Sequence, residues 1–261
     1  RWELHPIFSN HATLLWEFFQ FRKERYIPLN PLQIMKRSKN LRASDQAYQK
    51  EKYYTPKEAL DLVVKLSKVK FDATVEVHCN LGIDPRHAEQ QIRSTVTLPH
   101  GTGKQVRVIV FCGSENINIA QSAGVIEAGA EDLIEKVAKG WTDFDAVIAT
   151  PDMMKKLAKV ARILGPKGLM PNPKTGTVTT DISGTAKALM GGRIELRNDK
   201  AGIIHSVIGK VSFGAEKLEE NFQAILKTIR DLKPNTQKGK YFHSVVVNST
   251  MGVGIRVETS E

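Results

Sequence analysis

Two kinds of strand occur along this chain, and their order is the strongest constraint on its fold. From Thr74 to Leu81 the alternation is strict: Val75, Val77, Cys79 and Leu81 point one way, Thr74, Glu76, His78 and Asn80 the other. Such a strand covers a core with one face and meets water with the other. Val106–Cys112 and Ala146–Ala149 are instead nearly all apolar, as buried strands of a parallel sheet are. After Gly191-Gly192 the alternating style returns, around a turn in Arg193–Arg197 and Gly202–Ile208, then in Tyr241–Val247 and Gly254–Val257. A chain that starts one sheet, builds another and resumes the first implies a discontinuous domain carrying an insert. The expected class is α/β with two domains: a discontinuous α+β two-layer domain over 55–100 and 191–261, and an inserted Rossmann-like three-layer α/β domain over 101–190. Residues 1–54 form a basic N-terminal extension.

Helix signals fit this plan. Thr55-Pro56-Lys57-Glu58 offers a cap residue, Pro at the first helical position and Glu three after the cap. Asp84-Pro85 turns the chain into a short helix, and Ser94–Leu98 reads as a strand. In the insert, a small-residue helix ends near Ala123, Glu131–Lys139 is closed by Gly140, and Pro151–Leu164 reads as one further helix. This β-α-β-α order calls for right-handed crossovers. Leu218–Leu232 is a long amphipathic helix stopping before Pro234. Gly184 falls inside an expected helix, at about 1 kcal/mol relative to Ala.

Net charge is +10, which suggests a polyanionic partner, most often nucleic acid. Half of that excess sits in residues 1–54, where ten Lys and Arg face five acids. Leu14–Phe21 reads there as an apolar helix, and the segment either drapes on a partner or caps the main fold. The chain begins at Arg1, which fits a cleaved organellar presequence or a truncated chain alike. The extension favours the mitochondrion, with chloroplast or bacterial cytoplasm as alternatives. Cys79 and Cys112, in strand-like runs, read as small buried hydrophobes of a reducing compartment. No apolar run approaches the length of a membrane span, so no membrane partner is expected.

Gly165–Thr177 (GPKGLMPNPKTGT) holds three Gly, three Pro and two Lys but only two apolar side chains. It cannot pack a core and reads as a shaped basic loop, with Lys167 and Lys174 as its basic residues. It follows Lys155, Lys156, Lys159 and Arg162, so one end of the insert should be positive. Enzyme motifs fail. Gly101-Thr-Gly-Lys104 lacks the earlier Gly and the Ser or Thr after Lys that a phosphate loop needs. The histidines show no metal-ligand spacing. No catalytic residue, cofactor or metal is expected. A binding surface has better anchors. Lys70-Phe71 before the first alternating strand suits base stacking beside a phosphate contact, or Phe71 is core. Ser249-Thr250-Met251-Gly252 offers hydroxyls and open backbone to a ribose, or is an ordinary hairpin turn.

Several longer motifs carry a resemblance: KFDATVEV from Lys70, LGIDPRHAEQQIRSTVTLPHGTGK from Leu81, EDLIEK from Glu131, DFDAVIATPDMM from Asp143, RILGPKGLMPNPKTGTVT from Arg162, NDKAGIIH from Asn198, IGKVSF from Ile208 and NSTMGVGIRV from Asn248. In this order they resemble the L-one family of large-subunit ribosomal proteins, bacterial type, over residues 55–258. The resemblance implies a structural, rRNA-binding constituent of the large subunit. It would form the mobile stalk near the tRNA exit site and assist release of deacylated tRNA. Its rRNA surface would include Phe71, Thr74, Glu76, Ser249, Thr250, Met251 and Gly252, with Lys70, Lys200, His205 and Lys210 as additions. Implied partners are large-subunit rRNA stalk helices, exit-site tRNA transiently, and neighbouring ribosomal proteins through residues 1–54. The alternative is a ribosome-free RNA-binding regulator or assembly factor, such as a translational repressor.

Overall fold

The computed structural model describes residues 39–259, of which residues 43–259 belong to one compact unit. The helix expected over Leu14–Phe21 lies outside the described residues. A nine-residue helix, Lys39–Ala47 (α1), comes first. The second, Pro56–Leu66 (α2), starts on the full capping box: the Thr55 hydroxyl accepts from Glu58 N–H and the Glu58 carboxylate accepts from Thr55 N–H. Two orphan donors of the first turn are thereby satisfied.

The alternating strands build one antiparallel sheet. Thr74–Leu81 (β1), Ile203–Lys210 (β7), Phe242–Ser249 (β8) and Ile255–Val257 (β9) lie in the order β7-β1-β8-β9. Strand β1 is central, and its burial alternates residue by residue as the side-chain period requires. Helix α2 and the long helix Gly214–Asp231 (α8) contact each other; α2 also meets β8 and β9, and α8 meets β7. Leu60, Val63, Leu218, Phe222, Ile225 and Ile229 of these helices are buried, as are Val75, Val77 and Cys79. This is a two-layer arrangement with one wet sheet face. Tyr54 extends it: Tyr54 N–H donates to Arg256 O and Glu258 N–H to Tyr54 O, beside β9. The ordered sheet therefore reaches one residue into the segment read as an extension.

The apolar strands build a parallel sheet. Val108–Phe111 (β3), Glu127–Gly129 (β4) and Ala146–Ala149 (β5) run in the order β4-β3-β5. Alternate residues serve opposite cores. Ile109, Phe111, Val147 and Ala149 pack with Leu133 and Val137 of Glu131–Ala138 (α4), and with Met153, Leu157, Val160 and Leu164. Val108, Val110 and Ile148 pack with Ala120 of Ile117–Ser122 (α3), and with Ile182 and Ala186 of Ile182–Met190 (α7). The result is three layers.

Two local expectations change, and a third gains its physical reason. Pro151–Leu164 is not one helix. Met154–Leu157 (α5) and Ala161–Leu164 (α6) alternate with 3-10 turns at Pro151–Met153 and Ala158–Val160. The tightened turns still deliver Met153, Leu157, Val160 and Leu164 to one core, so packing rather than helix propensity sets the local geometry. The strands around Asn198–Ala201 part company: Arg193–Arg197 (β6) pairs instead with Arg93–Thr97 (β2) as a separate ribbon. The Asp199 carboxylate accepts from Ala201 and Ile203 N–H, bending the chain from one sheet into the other. Gly184 sits in the first turn of α7, its N–H bonded to the Asp181 cap. A Cβ there would run into that carboxylate, so the cost of the glycine is the condition for the cap.

Cys79 and Cys112 are buried free thiols, and burial raises both, Cys79 to about 12. Among the described residues no helix is long and apolar enough to cross a membrane.

Candidate nucleic-acid interface

At the Thr74 end of the wet face, three chain segments are tied into one polar cluster. Thr74 N–H donates to Thr250 Oγ1 at 3.2 Å, and Thr250 N–H and Oγ1 both return bonds to Thr74 O, at 2.9 and 3.2 Å. Lys210, register partner of Thr74, donates from Nζ to Thr74 Oγ1 at 2.8 Å. Lys210 Nζ also donates to Asp72 O at 3.4 Å, so the hydroxyl proton of Thr74 and one ammonium proton of Lys210 remain for a ligand. Behind them Asp72 accepts from the N–H and hydroxyl of Ser212, fixing the approach to β1.

Two large apolar side chains close to this cluster in sequence are exposed to water. Phe71 is 56% exposed and Met251 is 83% exposed. Phe71 is therefore no core residue. Met251 has φ 64°, a left-handed conformation uncommon outside glycine and costing roughly 1–2 kcal/mol. The turn is held by Gly252 N–H donating to Ser249 O at 2.7 Å. Ser249 itself is 3% exposed, and a Cβ on Gly252 would meet its hydroxyl. Ser249, expected to meet RNA, thus shapes the turn from below, because its place in the β8 alternation points inward. Thr250 and Met251 are what the turn presents.

Further along the face, Glu76 pairs in register with Asn248 and His78 with His205. His78 Nδ1 lies 2.7 Å from His205 Nδ1, one ring donating and the other accepting, and His78 Nε2 lies 3.0 Å from Asn248 Oδ1. The rings meet edge to face at 5.0 Å. His78 and Asn248 were not singled out from sequence. Their signal was their place on the wet face of alternating strands.

Lys70 is exposed just before Phe71 and joins the Thr74 end. Lys200 does not. It lies on the turn whose Gly202 O receives Leu81 N–H, at the other end of β1, roughly 23 Å away at ~3.3 Å per residue. Beside it, Ile203 N–H foremost, with Ala201 N–H, holds the Asp199 carboxyl below its usual range against some desolvation.

The Gly/Pro loop is shaped as expected, but it does pack a core: Leu169 and Met170 lie against the core of Ile109, Phe111 and Leu133. Asn172 Oδ1 accepts from Lys174 N–H, Thr177 Oγ1 accepts from Asn172 N–H, and Gly176 in a left-handed turn abuts the Arg193 guanidinium. Lys174 lines a cleft of about 640 Å³ with Arg93, Arg197, Asn198 and Lys200. Lys167 turns away, donating to Thr142 Oγ1 at 2.5 Å. Where the chain enters and leaves the parallel sheet, the backbones of Gly101 and Gly192 touch so closely that a Cβ on Gly192 would strike Gly101. Asn221, fully buried on α8, donates to Gly101 O and Ile208 O and accepts from His100 N–H. Sequence reading missed this brace, since one Asn within an amphipathic helix carries no pattern.

Exposed aromatic and thioether groups, hydroxyls and a lysine converging on a wet sheet have the chemistry of an RNA-binding protein: stacking, 2′-OH contacts and phosphate charge. The comparisons define the class further. The chain belongs to the ribosomal protein L1p/L10e family, whose profile matches residues 63–253. It is 51% identical over 224 residues to the large ribosomal subunit protein uL1 of Cutibacterium acnes, covering 86% of this chain and 97% of that protein. The uL1 proteins of Thermobifida fusca and Mycobacteroides abscessus are 50% and 52% identical, each match covering 86% of this chain and at least 95% of the relative. As a member, this chain is a structural, non-enzymatic protein of the large ribosomal subunit that binds rRNA. The relatives are bacterial and give the mitochondrial assignment no specific support. Because a match over 224 of 261 residues leaves fewer than 54 outside it, part of residues 1–54 also has bacterial counterparts.

Proposed function

We propose that the wet face of the sheet from its Thr74 end as far as His205 is the rRNA grip, formed by Lys70, Phe71, Thr74, Glu76, His205, Lys210, Thr250, Met251 and Gly252. The carrying observation is that Phe71, three residues before Thr74, and Met251, next to Thr250, are both largely exposed where the chain forms the Thr74–Thr250–Lys210 cluster. Phe71 stacks on a base or ribose, the hydroxyls meet 2′-OH groups, and Lys210 meets phosphate. Ser249 supports the turn, and Lys200 belongs to an outer contact. The unit divides into residues 55–100 with 191–261 and an inserted 101–190. The insert turns about Gly101 and Gly192 while the grip holds, as a mobile stalk contacting exit-site tRNA and assisting its release would require. Lys174, and Lys167 once freed from Thr142, serve the insert's basic surface, and residues 1–54 reach neighbouring ribosomal proteins. A mitochondrial ribosome is inferred from the basic leading residues; a bacterial cytoplasm fits the relatives.

The test is binding to a stalk-region rRNA fragment across a salt series, against a scrambled RNA of equal length. Stacking is worth ~1–3 kcal/mol per base, so Phe71→Ala with Thr250→Val should weaken the specific complex tenfold or more. The scrambled RNA should hardly notice. Equal loss on both RNAs would remove the grip from this end. Co-sedimentation with large subunits in moderate salt separates a ribosomal role from a ribosome-free regulator.

A further inference from the structure

The opposite end of the same sheet carries a second basic surface that the grip does not use. Between the last turn of α8 and the start of β8 the chain reads Lys233-Pro-Asn-Thr-Gln-Lys-Gly-Lys240. Arg230, Lys233, Lys240, Tyr241 and Phe242 line a cleft there of about 520 Å³. Cations at a helix C-terminus are ordinary, because they offset the macrodipole. That accounts for Arg230 and Lys233 but not for Lys238 and Lys240, which lie beyond the helix.

The loop holding them is built to stay in place. Gln237, 9% exposed, reaches the carbonyls of Lys238, Gly239 and Lys240 with its amide nitrogen, at 3.0, 3.2 and 3.2 Å. Tyr241 donates its hydroxyl to Ile229 O at 3.0 Å, and burial raises that hydroxyl to about 12, so it remains a donor. Gly82 N–H donates to Tyr241 O at 2.7 Å. Turned inward, the carbonyls leave the Lys238 and Lys240 side chains outside, both exposed. Lys233 lies 5.7 Å from the Tyr241 ring centroid. Among the described residues no carboxylate pairs with Lys233, Lys238 or Lys240. Lys200 adds its charge from the turn on the other side of Leu81. A fixed set of unpaired ammonium groups beside a cleft suits successive phosphates of a nucleic-acid backbone.

We propose that the Lys233–Lys240 loop binds the phosphate backbone of a second RNA segment, so that the sheet bridges two RNAs through its opposite ends. The bridging rests on the grip proposed above; the loop's own phosphate binding does not.

The test loads the full chain with the stalk-region fragment and titrates in a labelled RNA duplex unable to pair with it. The variant is Lys233→Gln, Lys238→Gln, Lys240→Gln. A charge-matched control is Lys57→Gln, Lys139→Gln, Lys217→Gln, and thermal melts confirm that both fold. The loop variant should lose duplex capture at least tenfold and flatten its salt slope by about two to three. The control should stay within twofold, as should the loop variant's affinity for the stalk fragment. The Phe71→Ala, Thr250→Val variant should lose the stalk fragment and keep the duplex; if the stalk fragment is held equally by both, the grip fails and the loop site stands. Equal loss in the charge-matched control would reduce the loop to bulk charge. Parallel loss of the stalk fragment would make both ends one site. Capture of an acidic polypeptide in preference to the duplex would make the loop a protein contact. Any of these overturns the proposal.

Discussion

The two sheets bury themselves differently, and that difference says where each can act. In β3 all four residues are fully buried, because helices cover the parallel sheet on both faces. No side chain there is left for a partner, so its chemistry moves to ends and loops, such as Gly165–Thr177. In β1 every second residue is buried on the helix side of the sheet, and the others keep polar groups at the surface. That half-open sheet can read a ligand along its length. One-sided burial yields a surface, and two-sided burial yields a rigid body that can be carried.

The largest expected effect tests that contrast directly. Ile148→Ala removes a fully buried side chain from the covered sheet and should cost about 2–5 kcal/mol, read by urea unfolding. Val246→Ala, on the wet face opposite His78, should cost far less. Similar losses at both positions would mean the wet face is covered and the contrast is false.

Much of this contrast was legible in the residues. Period-two alternation from Thr74 and the apolar run at Val108 separate the sheets before any coordinates, since burial on one or two faces writes itself into side-chain polarity. Thr55-Pro56-Lys57-Glu58 gave its helix start because a capping box is local. Less legible was whatever depends on distant segments. Phe71 could be core or surface by pattern alone. Ser249 turned inward because strand β8 continues through it. The departure of β6 from β7 depends on the Asp199 turn and on the partner β2, far away in sequence. The Asn221 brace required three segments to meet.

That brace is the next test. Asn221 sits wholly buried with three hydrogen bonds to backbone, two of them at the crossing between the sheets. Asn221→Ala strands buried backbone groups and should cost about 1–3 kcal/mol. Hydrogen exchange should rise first at His100 N–H. If exchange rises only within α8, the two regions are not coupled through this residue.

Asp145 should give a smaller effect, confined to acid. The Lys104 hydrogen bond, ahead of burial, which opposes it, and of the Arg107 bonds, holds its carboxyl down at about 2. A group lowered in the folded state stabilises above its unfolded value near 3.9. That contribution fades as pH falls through its folded value. With the lysine partner exposed to solvent, about 1 kcal/mol is expected to vanish between roughly pH 4 and pH 2. Asp145→Asn should remove that part of the acid slope and leave the curve above pH 5 parallel to the parent. An unchanged slope would mean the Lys104–Asp145–Arg107 group contributes nothing to folding.

The smallest effect on folding should accompany a larger one on binding. Glu76 stands on the wet face, 3.9 Å from His78 Nε2, with a side chain 42% exposed. Glu76→Gln changes little that is buried, and stability should move by no more than about 0.5 kcal/mol. A carboxylate beside RNA either repels phosphate or accepts from a 2′-OH or a base N–H. The amide keeps one acceptor and loses the charge, so the two cases differ in sign. Within the proposed grip the carboxylate accepts, and Glu76→Gln should weaken the stalk-fragment complex several-fold at an unchanged salt slope. Tighter binding with a steeper slope would mean the acid only repels. The readable face would then begin at Thr74 and exclude Glu76.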